Sequence, residues 1–138
     1  MLTTMLVEDF VSFREIVRDQ ILSRFSSMKV IEASNGEEAF KGLASFPTDL
    51  IFMDISLPGQ NGIELTKEIK TGNQTVAIVM LSGYDLDDYR NAALRSGANG
   101  FIGKYSADVE GQISRVVSCF LEAKEAGRLK PACLLISR

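Results

Sequence analysis

The sequence predicts an α/β fold in which helices cover both faces of a five-stranded parallel sheet. Short apolar runs alternate with amphipathic segments five times along the 138 residues. The connections between them are short, as in consecutive βα units. The run at 76–81 contains six apolar residues, which is too few for an independent helix and typical of a central strand buried on both faces.

In the first half of the chain, helix 10–25 is predicted from apolar residues at three- and four-residue steps. These residues are Phe10, Phe13, Val17, Ile21 and Phe25. Turn residues follow the second strand, and Pro47 ends the second helix. The predicted strands are 4–7, 28–33 and 49–53, and the predicted helices are 10–25, 37–45 and 62–70.

In the second half, the predicted strands are 74–81 and 98–103, separated by helix 85–96. Acidic residues in the first turn of that helix complement its dipole, and Gly97 ends it. Ser106 is the expected cap of the last helix, and Gly127 ends that helix. The organisation predicted is one domain, 1–126, followed by a tail or the start of a linker, 127–138.

Composition excludes several classes of protein. The formal net charge of −3 without a basic patch argues against direct nucleic-acid binding. No apolar run approaches the roughly 18 residues of a membrane span, and no signal-peptide pattern is present, so we expect a cytoplasmic location. The absence of histidine excludes histidine-based catalysis. Cys119 and Cys133 have no metal or redox spacing and are interpreted as free thiols.

Polar residues follow four of the five predicted strands. Glu8 and Asp9 follow the first strand, Asp54 the third, Ser82 the fourth and Lys104 the fifth. The carboxyl ends of parallel strands form the ligand crevice of open α/β sheets. Each residue alone is more often a turn residue or a cap than a ligand. Their coincidence at the strand ends favours one shared pocket.

Three carboxylates within ~5 Å repel by ~3 kcal/mol per pair at an effective dielectric constant of ~20. One lysine cannot compensate for this charge, whereas Mg²⁺, which takes carboxylate and phosphate oxygens, can. Asp54 is then the candidate nucleophile, because a carboxylate can form an acyl phosphate. Asp9 and Asp54 would bind the metal, with Glu8 bound directly or through water. Lys104 and the Ser82 hydroxyl would contact the phosphoryl oxygens.

Four motifs resemble the receiver domain of bacterial two-component response regulators, the CheY-like fold. They are LVED at 6–9, MDISLPGQNGIEL at 53–65, LSGY at 81–84 and GANGFIGK at 97–104. The resemblance covers roughly residues 2–126. It implies a flavodoxin-like three-layer sandwich with sheet order 2-1-3-4-5. It also implies phosphorylation of Asp54 by a sensor histidine kinase or a histidine phosphotransfer protein, with Mg²⁺ as the cofactor.

The resemblance further implies that the backbone carbonyl of Ser56 completes the metal ligands and that Ser82 and Phe101 form the switch. The domain would catalyse its own phosphorylation and slow autodephosphorylation without being a conventional enzyme. The expected output is a change at the face of the fourth helix, fifth strand and last helix, leading to dimerisation or target binding.

Two residues depart from the family pattern. Tyr105 replaces the proline that often follows the lysine in a cis peptide, and because a non-proline cis bond costs ~2.5–4 kcal/mol, a trans bond is favoured. Phe101 lacks the hydroxyl of the commoner tyrosine, so a switch here works by packing. Tyr84 is expected to flank the phosphoryl group.

Other functions remain open at this point. A haloacid-dehalogenase-type phosphatase also uses an aspartate nucleophile and Mg²⁺, but it needs an acid where Ser56 stands. A receiver used only as a protein-binding module is disfavoured because every charged site position is present. The chain fits either a stand-alone receiver or a piece of a longer regulator whose DNA-binding output domain is missing.

Overall fold

The computed structural model describes residues 2–73, 75–83 and 87–127, in which strands and helices alternate. The strands are β1 (Thr3–Val7), β2 (Lys29–Ala33), β3 (Leu50–Asp54), β4 (Ala77–Ser82) and β5 (Gly100–Gly103). The helices are α1 (Val11–Arg24), α2 (Gly36–Ser45), α3 (Gly62–Gly72), α4 (Asp87–Arg95) and α5 (Val109–Glu125). All strand pairs are parallel in the order β2-β1-β3-β4-β5, so the predicted flavodoxin-like topology is confirmed.

Two apolar clusters lie on opposite faces of the sheet and define three layers. Successive side chains of a strand point to opposite faces, and β3 shows this clearly. Leu50 and Phe52 pack with residues of α1 and α5, whereas Ile51 and Met53 pack with residues of α2, α3 and α4. This double burial explains why the central strands are nearly continuous apolar runs.

Several predicted boundaries and roles are corrected by the structure. Asp54 is the last residue of β3 rather than the residue after it. Phe10, predicted on the apolar face of the first helix, precedes α1 and is 63% exposed. Asp108, not Ser106, caps α5, because its carboxylate accepts the Gly111 N–H at 3.2 Å. The Ser106 hydroxyl instead donates to the Gly103 carbonyl at 2.9 Å.

Some predictions concern residues that lie outside the described ranges. Residues 85 and 86 of the predicted fourth helix, Tyr84, Cys133 and the tail beyond residue 127 lie outside the described residues. Cys119 on α5 is disulfide-bonded, so the free-thiol interpretation is wrong at this position. Among the helices of the described ranges, none is both long and apolar enough to cross a bilayer.

Gly62 allows the loop after β3 to return close to the strand that carries Asp54. The Gly62 N–H donates to the Ile55 carbonyl at 2.8 Å. A Cβ atom at this position would collide with the Asp54 carbonyl oxygen and lie 2.9 Å from the Ile55 Cα. Backbone atoms on both sides cannot yield as a flexible side chain could.

We therefore expect Gly62→Ala to lower the free energy of unfolding by about 2 kcal/mol or more, because the β3–α3 connection must move apart. Gly72→Ala, at the end of the same helix, is the matched control. No atom lies within 4 Å of a Cβ there, so this variant should be neutral or stabilised by up to ~1 kcal/mol. Urea unfolding measures both, and equal effects would contradict the steric explanation.

Candidate phosphoacceptor site

Glu8, Asp54 and Lys104 lie on the same side of the carboxyl edge of the sheet. Each follows by two residues an apolar side chain that packs against α1 and α5. Those side chains are Leu6, Phe52 and Ile102. Backbone hydrogen bonds continue the sheet through Glu8 and Lys104, so the alternation of side chains extends to the site.

Lys104 joins the two buried carboxylates. Its Nζ atom lies 2.6 Å from Glu8 Oε1 and 3.3 Å from Asp54 Oδ2. Glu8 and Asp54 are each 3% exposed, and the Lys104 side chain is 9% exposed. Buried charges are tolerated when they are paired in this way. The predicted proximity of a lysine to Asp54 is therefore present, with Glu8 as an additional and closer partner.

A second contact holds the Lys104 ammonium group. Its Nζ atom lies 4.7 Å from the centroid of the Phe13 ring, within the range of a cation–π interaction. Phe13 lies in the first turn of α1 and packs against the apolar cluster on that face of the sheet. The lysine is thus held from three sides by two acids and an aromatic ring.

Glu8, Asp9 and Asp54 form the acidic cluster. Each offers a carboxylate oxygen, and the three oxygens lie within 4.8 Å of one another. Asp9 is exposed, whereas the other two are buried, so the cluster opens to solvent on one side. Hard oxygen ligands in this number suit Mg²⁺, which keeps several waters and takes few carboxylates. The donor set therefore fits the predicted cofactor.

The electrostatics of the site leave an excess of negative charge. Burial raises the pKa of Asp54 to about 7; the Glu8 carboxylate contributes to this rise, and Lys104 offsets part of it. Burial alone would lower the pKa of Lys104, but the hydrogen bond to Glu8 and the charges of Asp54 and Glu8 raise it. The lysine therefore carries its positive charge at neutral pH, while the pKa of Asp54 lies near neutrality.

The remaining predicted residues are Ser56, Ser82 and Phe101. The Ser56 N–H donates to Asp54 Oδ1 at 3.2 Å. Ser82 ends β4 and is 1% exposed. Phe101 is 2% exposed and belongs to the apolar cluster on the other face of the sheet, and its ring centroid lies 4.7 Å from the Arg90 guanidinium carbon. The described residues contain no cis peptide, so the Lys104–Tyr105 bond is trans.

Two residues of α1 were not predicted from the sequence. Phe13 fits the apolar face of a helix and Arg14 belongs to no motif, yet the Arg14 guanidinium contacts the Glu8 carbonyl. A signal for Arg14 was present: Glu32 is an acid within an otherwise apolar stretch of β2, and Arg14 and Arg18 lie one helical turn apart. Paired cations at this spacing share one side of a helix.

The sequence model of the response regulator receiver domain family matches residues 4–112. The chain belongs to this family. The response regulator UvrY of Escherichia coli K12 is 33% identical over 111 residues, covering 80% of this chain and 50% of the relative. The chemotaxis protein CheY of Halobacterium salinarum is 33% identical over 100 residues, covering 72% of this chain and 82% of that protein. The chain thus spans about half the length of UvrY.

Solved structures agree with this assignment. The N-terminal domain of an uncharacterized protein from Wolinella succinogenes has a TM-score of 0.82 and 26% identity, covering 93% of this chain and all of that one. A two-component response regulator of the LuxR family from Aurantimonas has a TM-score of 0.73 and 29% identity, covering 91% of this chain and 86% of its own. The chain is therefore a CheY-like receiver domain of two-component signalling.

The raised pKa of Asp54 predicts a pH-dependent stability. An aspartate titrates near 3.9 when unfolded, and Asp54 titrates at about 7 in the fold. The folded state therefore binds the proton more tightly, and the wild-type free energy of unfolding loses this contribution as pH rises from about 4 to about 7.

The asparagine of Asp54→Asn does not titrate, so this variant does not lose stability through position 54 as pH rises. In metal-free buffer the variant should become more stable than wild type as pH rises, by on the order of 1–3 kcal/mol at pH 8. Urea unfolding between pH 4 and pH 8 measures the difference. Asp19→Asn, which removes an exposed carboxylate paired with Arg18, is the control. A stability difference that stays constant with pH for Asp54→Asn would contradict the burial argument.

Proposed function

We propose that this receiver domain accepts a phosphoryl group on Asp54 from a sensor histidine kinase or a histidine phosphotransfer protein in a Mg²⁺-dependent reaction. The observation that supports this most directly is the position of Asp54. Its buried carboxylate lies within 4.8 Å of two other acids and 3.3 Å from a lysine ammonium. A nucleophile beside a fixed cation is what phosphoryl transfer requires of a protein.

In the proposed step, an Asp54 carboxylate oxygen attacks the phosphorus of the donor phosphohistidine. The new O–P bond forms as the P–N bond breaks, and the imidazole nitrogen keeps the electron pair and takes a proton from solvent. The acceptor must be ionised to attack, and a pKa of about 7 provides the carboxylate form at cytoplasmic pH. Lys104 is already next to the acceptor, so little reorganisation is needed to stabilise phosphoryl charge.

The metal ligands proposed are Asp9, Asp54 and the Ser56 carbonyl, with Glu8 binding directly or through water. Mg²⁺ held there would neutralise charge on the phosphoryl oxygens and lower the repulsion among the acids. Asp9 is the exposed member of the cluster, so it offers a carboxylate to an ion arriving from solvent. Ser82 would donate its hydroxyl to a phosphoryl oxygen.

The proposed output is a population shift at the face of α4, β5 and α5, which favours dimerisation or target binding. Ser82 and Phe101 would couple the phosphoryl group to this face. Phe101 is 2% exposed, so its ring is buried. The switch would then work through packing around the ring, since phenylalanine has no hydroxyl to donate.

Two further assignments belong to this proposal. The receiver unit spans 1–126, with 127–138 as a tail or the start of a linker, and it acts in the cytoplasm. The match covers only 50% of the relative UvrY, so a DNA-binding output domain is proposed to accompany this unit in a longer regulator.

Incubation with acetyl phosphate and Mg²⁺, followed by intact-mass analysis, tests the acceptor. Wild type and the control Asp19→Asn should gain the mass of one phosphoryl group, whereas Asp54→Asn should gain none, because an amide is not a nucleophile of this kind. Omitting Mg²⁺ should slow the gain by at least about tenfold. An unmodified wild type would instead support a receiver that acts only as a protein-binding module.

A further inference from the structure

We propose that Arg14 is a positioning residue that holds the Glu8–Asp9 segment in the geometry needed to bind the divalent cation. This inference rests on the proposed function, because it concerns the metal site of the phosphoacceptor. Arg14 reaches the acidic segment through the Glu8 main-chain carbonyl and contacts the Glu32 side chain with its other donor.

A single guanidinium group links the loop after β1 to strand β2. Arg14 Nη1 donates to the Glu8 carbonyl oxygen at 2.7 Å, and Arg14 Nε donates to Glu32 Oε1 at 2.9 Å. The Arg14 side chain is 15% exposed, so both hydrogen bonds are largely shielded from water. Charge-assisted bonds of this kind are among the stronger ones in proteins.

The Glu8 backbone is fixed on both sides as a result. Its N–H donates to the Ala33 carbonyl at 2.9 Å, and its carbonyl accepts from Arg14. The Glu8 carbonyl and the Asp9 N–H belong to one planar peptide unit. Holding the carbonyl therefore fixes the orientation of the peptide from which Asp9, the exposed member of the acidic cluster, projects.

The same segment carries a second internal bond. Glu8 Oε2 accepts the Phe10 N–H at 3.0 Å, so the side chain of Glu8 closes over the start of α1. The hydrogen bond from Arg14 restricts the main chain of Glu8, and the hydrogen bond from the Phe10 N–H restricts its side chain. A loop held in this way loses less conformational freedom when an ion binds.

The position of the Glu32 carboxylate is restricted because Arg18 binds it as well as Arg14. Arg18 Nη1 donates to Glu32 Oε2 at 3.1 Å, one helical turn further along α1. Arg18 also pairs with Asp19 at 3.0 Å, whereas the loop contact belongs to Arg14. The chain thus contains two arginines with the same acidic partner, of which Arg14 is the one that reaches the site.

Lysine cannot replace Arg14 in this role. The planar guanidinium offers Nε and Nη1 as separate donors in a fixed relation, whereas lysine has one ammonium nitrogen at the end of a flexible stem. Arg14→Lys keeps the positive charge near Glu32 and gives up the simultaneous contact with the Glu8 carbonyl. Arg18→Lys makes the same chemical change without a loop contact to lose.

The experiment compares Mg²⁺ binding by wild type, Arg14→Lys and Arg18→Lys in the whole chain. Mg²⁺ is titrated into ¹⁵N-labelled protein, and the amide shifts of Asp9, Phe10 and Asp54 give the dissociation constant. We expect Arg14→Lys to weaken binding about tenfold, the lower end of the effect of removing an outer partner of a metal site. Arg18→Lys should change it by less than about twofold.

Two more readouts separate positioning from general destabilisation. At saturating Mg²⁺, phosphorylation of Arg14→Lys by acetyl phosphate should approach the wild-type rate, because the ion restores the loop. Thermal unfolding without Mg²⁺ should show both lysine variants folded. If Arg14→Lys does not fold, Glu32→Gln replaces it in the titration, since it weakens the anchor and leaves the arginine in place.

Equal dissociation constants for the two lysine variants would overturn the role of Arg14 while leaving the proposed function intact, provided that wild type binds Mg²⁺ and is phosphorylated on Asp54. A wild type that shows no Mg²⁺-dependent shifts at these amides would overturn the proposed function and this inference together. Weaker Mg²⁺ binding confined to Arg14→Lys, with recovery at high Mg²⁺, supports positioning.

Discussion

The structure of this site depends on one buried cation that lies between two buried acids. The Lys104 ammonium is 2.6 Å from Glu8 and 3.3 Å from Asp54, and without it two buried carboxylates would lie side by side without a cation between them. Breaking such a pair usually leaves an uncompensated buried charge. Burial and, after it, the Glu8 charge raise the pKa of Asp54 to about 7, and Lys104 offsets only part of this rise. The acids that Lys104 does not neutralise are the ones proposed to bind the divalent cation.

Both the sheet and helix α1 contribute residues to this pocket. Side-chain alternation along β1, β3 and β5 brings Glu8, Asp54 and Lys104 to the same side of the carboxyl edge. Helix α1 contributes two further contacts. The Phe13 ring packs against the Lys104 ammonium group, and Arg14 donates a hydrogen bond to the Glu8 carbonyl. Strands thus supply the charged groups, while the helix limits their movement.

The sequence was sufficient to predict the sheet, its two covered faces and the group of polar residues at its carboxyl edge. These features follow from local periodicity and from the rule that parallel strands end at one edge. Contacts between elements were not predictable in the same way. The link from Arg14 to Glu32 depends on how α1 lies across β2, which no local pattern specifies. The α5 cap was assigned to Ser106 because hydroxyls are common caps, but Asp108 lies directly before the helix and its carboxylate accepts the amide.

The pocket is assembled from residues that lie far apart along the chain, from Glu8 after the first strand to Lys104 after the last. During synthesis on a ribosome, the acids leave the exit tunnel long before their lysine partner. Until β5 has joined the edge of the sheet, Asp54 is an ordinary hydrated carboxylate without the cation beside it. The pairing of Asp54 with Lys104, on which the proposed acceptor role depends, is therefore a property of the finished fold, and a chain without β5 lacks this pairing.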